Sequence, residues 1–132
     1  MKTKWSKNWA SSTRPGKQRK YRYNAPLHVL QAFLHVHLSP ELRKKYGVRN
    51  IGVRKGDKVL IVRGQWKKKN GKVQRVHLRR QKVFVEGIEQ TRKDGTKSFV
   101  ALEPSNLMIT ELDVEDKKRK TKLEKKTSKE KK

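Results

Sequence analysis

Apolar residues change their spacing along this chain, and each change marks a boundary. Leu27, Leu30, Leu34 and Leu38 recur every three or four residues, which is the spacing of one helix face, and Pro26 suits a first helical position. A second short helix is expected after it. Ser39 is its N-cap, Pro40 stands in the first turn, and Glu41 lies near the positive end of the dipole. Lys44 and Lys45 fall in its last turn, and Gly47 stops it. Residues 24–47 are thus expected to form a short helical segment.

From residue 48 to 112 the pattern shortens. Runs rich in Val, Ile and Phe at 58–62, 72–78, 82–86, 97–102 and 107–111 are split by Gly64, Gly71, Gly87 and Asp94-Gly95. Short strands punctuated by turn residues predict a mostly β unit, a small antiparallel barrel or sandwich of five strands. Asp94-Gly95 is the clearest hairpin tip, and a further short piece is expected near Ile88. Pro104 falls between strands, where its missing N–H does least harm. The run Val59-Leu60-Ile61-Val62 is apolar on both faces, so cover is expected on its outer side, from the helices of 24–47.

The two ends show no period. Residues 1–23 hold eight Lys or Arg, no acid, and Trp5, Trp9, Tyr21 and Tyr23, while Ser11-Ser12-Thr13 and Pro15-Gly16 break any repeat. They are expected to form an extended basic arm, whose rings suit base stacking. Residues 113–132 read as a low-complexity tail. From Lys117 on, ten basic residues face two acids, and Leu123 is the one apolar residue, too little to order the tail by itself.

Composition narrows the function. The 132 residues suffice for one ordinary domain. Lys and Arg number 37 against 12 Asp and Glu, and the net charge of +25 points to a polyanionic partner, because such charge otherwise repels itself. There is no cysteine, hence no disulfide and no thiolate metal site. The apolar run at Val59–Val62 is far too short for a membrane span, and no apolar stretch of a signal peptide follows Met1-Lys2-Thr3-Lys4-Trp5.

Candidate chemistry centres on residues 56–76. Gly56-Asp57 turns the chain into a strand, and Gly64 and Gly71 bracket a loop that carries Trp66, Lys67, Lys68 and Lys69. Glycine permits positive φ and close backbone approach, so phosphates are expected at backbone N–H groups as well as at ammonium ions. Lys72, Arg75, Arg79 and Arg80 continue along and beyond the next strand.

The stretch Gly56-Asp57 … Gly64 … Lys67 … Gly71-Lys72-Val73 resembles the KOW motif, the strand–loop–strand element of SH3-like barrels in ribosomal and transcription-elongation proteins. It departs at Lys68, where the family commonly has a second loop glycine. The flanks Gln18 to His28, Ser39 to Arg49, Val83 to Ile88 and Glu103 to Leu107 are similar to one family. It is the KOW protein of the large ribosomal subunit numbered twenty-four universally and twenty-six in eukaryotes, and archaeal members are nearest. The resemblance implies an SH3-like barrel over 48–112 with short N-terminal helices and extended basic termini. It also implies direct binding to large-subunit rRNA, early entry into assembly, a place near the peptide exit tunnel, neighbouring ribosomal proteins as partners, and a cytoplasmic location in the ribosome.

On this reading the arm is expected to meet RNA through Trp5, Trp9, Arg14, Lys17, Arg19, Lys20, Tyr21 and Arg22. The barrel is expected to meet it through Arg54, Lys55, Arg63, Trp66, Lys67, Lys68, Lys69, Lys72, Arg75, Arg79 and Arg80, with Gly56, Gly64 and Gly71 as structural turns. A transcription-elongation factor of the KOW type, or another RNA-binding factor, is the alternative, but KOW elongation factors usually carry a further N-terminal α/β domain, and residues 25–46 are too few for one. A protein-binding SH3-like module would leave the arm's eight cations unexplained. No enzyme is expected, since phosphate-loop and dinucleotide glycine patterns are absent and Glu86 and Glu89 read as strand-surface residues. No metal or other cofactor and no small-molecule substrate is expected either. His35 and His37 would lie about 200° apart on a helix, and His28 and His77 complete no ligand set.

Overall fold

The computed structural model describes residues 5–6 and 12–130, with only the backbone given for 125–130. Its elements run α1 (Pro15–Asn24), α2 (Leu27–Phe33), β1 (His35–Leu38), α3 (Pro40–Tyr46), β2 (Asn50–Gly52), β3 (Lys58–Ile61) and β4 (Asn70–His77). There follow β5 (Lys82–Val85), β6 (Glu89–Thr91), β7 (Lys97–Phe99), a 3₁₀ turn (Pro104–Asn106), β8 (Leu107–Glu111) and α4 (Lys117–Glu130). Six strands form one curved sheet in the order β2-β1-β8-β3-β4-β5, and β6 and β7 make a separate hairpin. The result is a small open barrel-like sheet, the KOW/SH3-like fold.

Most pairings are antiparallel, as the short strands predicted. β3 pairs with β4 (Val59 opposite Gly71) and β4 with β5 (Val76 opposite Val83). A bridge between Val83 and Leu102 continues the sheet past β5. Residues alternate in and out, so Val36, Leu38, Val59, Ile61, Val73, Val83, Val85, Leu107 and Ile109 fill one core. The hairpin tip falls where Asp94-Gly95 placed it: Gly95 has φ +82° and the Arg92 N–H donates to the Thr96 carbonyl at 2.8 Å. The Thr96 hydroxyl and then its N–H donate to Asp94, which holds that carboxyl below its ordinary range.

The helix at 40–46 is built as its end residues predicted. The Ser39 hydroxyl accepts from the Leu42 N–H, and Gly47 closes the helix in the left-handed conformation at φ +59°. Other expectations are corrected. The first helix stops at Phe33 and does not reach Leu38, because residues 35–38 form β1 between two partners. β1 runs antiparallel to β2 and parallel to β8, which also adds a parallel pair to a sheet expected to be antiparallel. Leu34 and Leu38 fit either period, and the buried Val36 between them fits only the strand. The Val59–Val62 run is less covered than expected, since Leu60 is half-buried and Val62 exposed.

Both termini differ too. The arm is helical from Pro15, where proline presets the first turn; Lys17 to Lys20 are good helix formers, and Pro26 forces Ala25 out of helical geometry. The tail is helical from Lys117, and it docks. Leu123 is buried in the barrel core, and Arg119, one helical turn before it, is 3% exposed.

Arg119 meets Asp57, which is fully buried. Its two terminal nitrogens donate to the two carboxylate oxygens at 2.6 and 2.7 Å, and also to the carbonyls of Asp113 and Gly52. The Arg54 and Asp113 N–H groups complete the carboxylate's set at 2.8 and 3.0 Å. Replacing one member of a buried pair leaves a desolvated charge, at a cost of about 3–5 kcal/mol. Arg119→Met is therefore expected to lower the unfolding free energy by that amount. Lys120→Met, on an exposed neighbouring position, should change it by less than about 0.5 kcal/mol. Urea unfolding followed by circular dichroism checks both.

Candidate nucleic-acid interface

The loop between β3 and β4 is ordered by its own backbone. The Lys68 N–H donates to the Ile61 carbonyl at 2.8 Å, Ile61 N–H to Lys69 at 2.9 Å, and Lys67 N–H to Gly64 at 3.1 Å. Gly64 takes φ +98°, and so a glycine is needed there. Lys67, Lys68 and Lys69 stay exposed. Trp66 is half-buried against the core, with the Lys69 ammonium 4.5 Å from its ring centre. One ring surface is thus occupied within the protein, and Trp66 anchors the loop as much as it presents a stacking face.

The other two turn glycines have distinct reasons. Gly56 has φ +98°, and a Cβ there would lie 2.5 Å from Asp113 Oδ2. Gly71 is not at positive φ. A Cβ there would meet Val85 Cγ1 at 2.5 Å and the Glu86 carbonyl oxygen at 2.6 Å, so close approach between β4 and β5 demands glycine.

The barrel's cations are spread along β4. Arg63 and Lys67 to Lys69 stand at one end, and Arg79 and Arg80 in the exposed turn at the other, about 23 Å away at ~3.3 Å per residue. Lys72 and Arg75 lie exposed between them. Lys72 faces Lys58 across the strands, and Glu111 holds Lys58 at 2.7 Å, which relieves the like-charge pair. A bulge between Val73 and Arg75 re-aims that part of the strand. Lys55 is exposed, whereas Arg54 is ion-paired with Asp116 and so partly engaged inside the protein.

The N-terminal cations Arg14, Lys17, Arg19, Lys20 and Arg22 are all exposed on or beside α1. Trp5 and Tyr21 are packed together, ring centres 5.1 Å apart, and Tyr21 meets Phe33 edge-on. Arg22 lies over Phe33 at 5.4 Å. These rings tie the arm to α2, which is a holding role that an extended arm would not have. Trp9 lies outside the described residues.

Sequence reasoning missed two concave surfaces. One, of about 940 Å³, sets Leu78, Phe84 and Phe99 beside Lys55 and Arg75; the other, of about 390 Å³, lies between α2 and α4 with Lys118 and Lys122 on its wall. The i, i+4 pair Arg119 and Leu123 was the one signal for the second, because it gives the tail a face to bury. His35 Nδ1 lies 3.0 Å from Asn50 Oδ1, and His77 Nδ1 accepts the Arg80 N–H at 3.2 Å. As strand residues, His35 and His37 share a face, unlike their helical placement. Among the described residues no His, Asp and Glu group could hold a metal ion.

A KOW hairpin on an SH3-like barrel, with cations along its length, defines a KOW-domain protein. The family described as ribosomal proteins L26 in eukaryotes and L24 in archaea matches residues 12–126, and the chain belongs to that family. It is similar to the large ribosomal subunit protein uL24 of Methanothrix thermoacetophila, 48% identical over 108 residues that cover 82% of this chain and 93% of that protein. It is also similar to uL24 of Methanosarcina barkeri, 46% identical over 114 residues that cover 86% and 98%.

Lys68 departs from the KOW pattern at a position that uses glycine's freedom: its φ is +71°. The left-handed conformation costs an L-residue ~1–2 kcal/mol, against the ~0.5–1 kcal/mol that glycine's unfolded-state entropy would cost. Lys68→Gly is thus expected to stabilise the protein by roughly 0.5–1 kcal/mol. Gly71→Ala should destabilise it by about 1–3 kcal/mol or more, because backbone blocks the added methyl. Denaturant midpoints at unchanged slope check both.

Proposed function

We propose that this chain binds large-subunit rRNA directly, as a structural protein of the large ribosomal subunit and not as an enzyme. The observation that carries the reading is the row of exposed cations on one rigid hairpin, Lys67 to Lys69, Lys72, Arg75, Arg79 and Arg80. Phosphate contacts by these residues fix position on the RNA. Discrimination then comes from shape, 2′-hydroxyls and unpaired bases, since side chains cannot read the deep groove of an RNA helix. The arm adds Arg14, Lys17, Arg19, Lys20 and Arg22 as a second set of phosphate partners, with Trp9 as a stacking ring. Early entry into assembly, a place near the exit tunnel and neighbouring ribosomal proteins as partners rest on the family resemblance alone. The elongation-factor reading gains nothing, for the family match extends through the N-terminal helices.

Two experiments test this. Lys67→Ala, Lys68→Ala and Lys69→Ala together should weaken binding to large-subunit rRNA in a filter assay and leave the circular dichroism spectrum unchanged. Unaltered binding would move the interface off the loop. Deleting residues 1–23 should flatten the dependence of log affinity on log salt by roughly five units when most of the arm's eight Lys and Arg engage, at ~0.7–0.9 per phosphate contact. Coincident slopes would leave the arm a helix packed on α2 with no part in RNA binding.

A further inference from the structure

The two concave surfaces share Gln31, Gly52, Val53 and Arg54, so they adjoin as the two halves of one trough-like face. Its two halves differ in chemistry. The wider half groups exposed apolar side chains: Phe99 is 44% and Leu78 39% exposed, beside the half-buried Phe84. Lys55 and Arg75 stand at its edge, and among the described residues no carboxylate lines either half. The narrower half carries Lys118 and Lys122, set i, i+4 on α4 and so pointing the same way, opposite His28 on α2. α4 is fixed there by Arg119 and Leu123, so these two lysines are part of a built wall.

We propose that this trough takes an unpaired RNA strand, with bases against Phe99 and Leu78 and phosphates at Lys118 and Lys122. An exposed aromatic ring beside cations matches a nucleotide, which presents a flat apolar face and a negative charge at each step. A paired helix offers no such face, because its bases are stacked on each other and only their edges are open. An apolar protein segment would fit the wide half but not the cations Lys55, Arg75, Lys118 and Lys122 along and beyond its edge. The site is distinct from the β3–β4 loop and gives the C-terminal helix a binding role. The inference rests on the rRNA-binding reading.

The test uses the full chain and two probes, a fluorescent ten-nucleotide single-stranded RNA of mixed sequence and a blunt duplex of the same sequence. Phe99→Ala should weaken single-strand binding roughly 5- to 100-fold while changing duplex binding less than about twofold. Phe99→Tyr, which keeps a ring, should bind like the parent protein. Lys118→Gln with Lys122→Gln should lower the salt slope on the single strand by about 1.4, at ~0.7 per contact. Circular dichroism verifies that each variant is folded. Equal losses on both probes, or an unchanged single-strand affinity in Phe99→Ala, would overturn the proposal. So would a variant that binds both RNAs normally but is lost from large subunits on sedimentation, since that result would assign the groove to a protein. Sedimentation of the parent chain with large subunits keeps the two readings apart. If it persists while the oligonucleotide results fail, the trough is wrong and the ribosomal reading stands.

Discussion

Asp57 ties together chain segments that are distant in sequence. Its carboxylate accepts from the turn before β3, from the chain after β8 and from α4, and the same arginine reaches back to the end of β2. Desolvating two charges costs several kcal/mol per ion, so the pair forms only because four donors converge on it with good geometry. Its effect is registry as much as strength. The tail from Lys117 holds ten basic residues, and among the described ones it is Arg119 that reaches a buried carboxylate, with Leu123 a turn later to seal the contact.

The same pairing logic governs the surface charge. Among the described residues, Asp57, Glu103, Glu111 and Asp116 are each paired, with Arg119, Lys82, Lys58 and Arg54. These cations serve the barrel itself. The exposed pairs contribute little to stability, but they mark where positive charge has been offset. Positive charge stays exposed at the loop at 67–69, at the far end of β4 and along the helical arm among other places, and there a polyanion would gain from counterion release.

In the loop, the fold and the proposed RNA contact draw on the same residues. Trp66 is the most conspicuous residue of the tip in the sequence, yet it packs on the core and holds Lys69 beneath its ring. Lys68 sits where a glycine would be easier, and its strained backbone adds a third exposed cation at the tip. A stiff loop presents its cations without losing much conformational entropy on binding.

Local chemistry was legible from residues alone wherever neighbours in sequence decide the outcome. Ser39, Pro40 and Gly47 specified α3, Asp94-Gly95 specified a hairpin tip, and the strand–loop–strand from Gly56 to Val76 marked the KOW hairpin. Charge alone pointed to a polyanion. Tertiary structure decided what local pattern leaves open. Residues 35–38, with Val36 and Leu38 turned inward, became a strand because β2 and β8 offered backbone partners on both sides. The arm became helical with Trp5, Tyr21 and Phe33 packed together. The tail became a docked helix because a buried carboxylate some sixty residues away needed a guanidinium. A single apolar residue could not announce that docking, since its partner surface exists only once the barrel has folded.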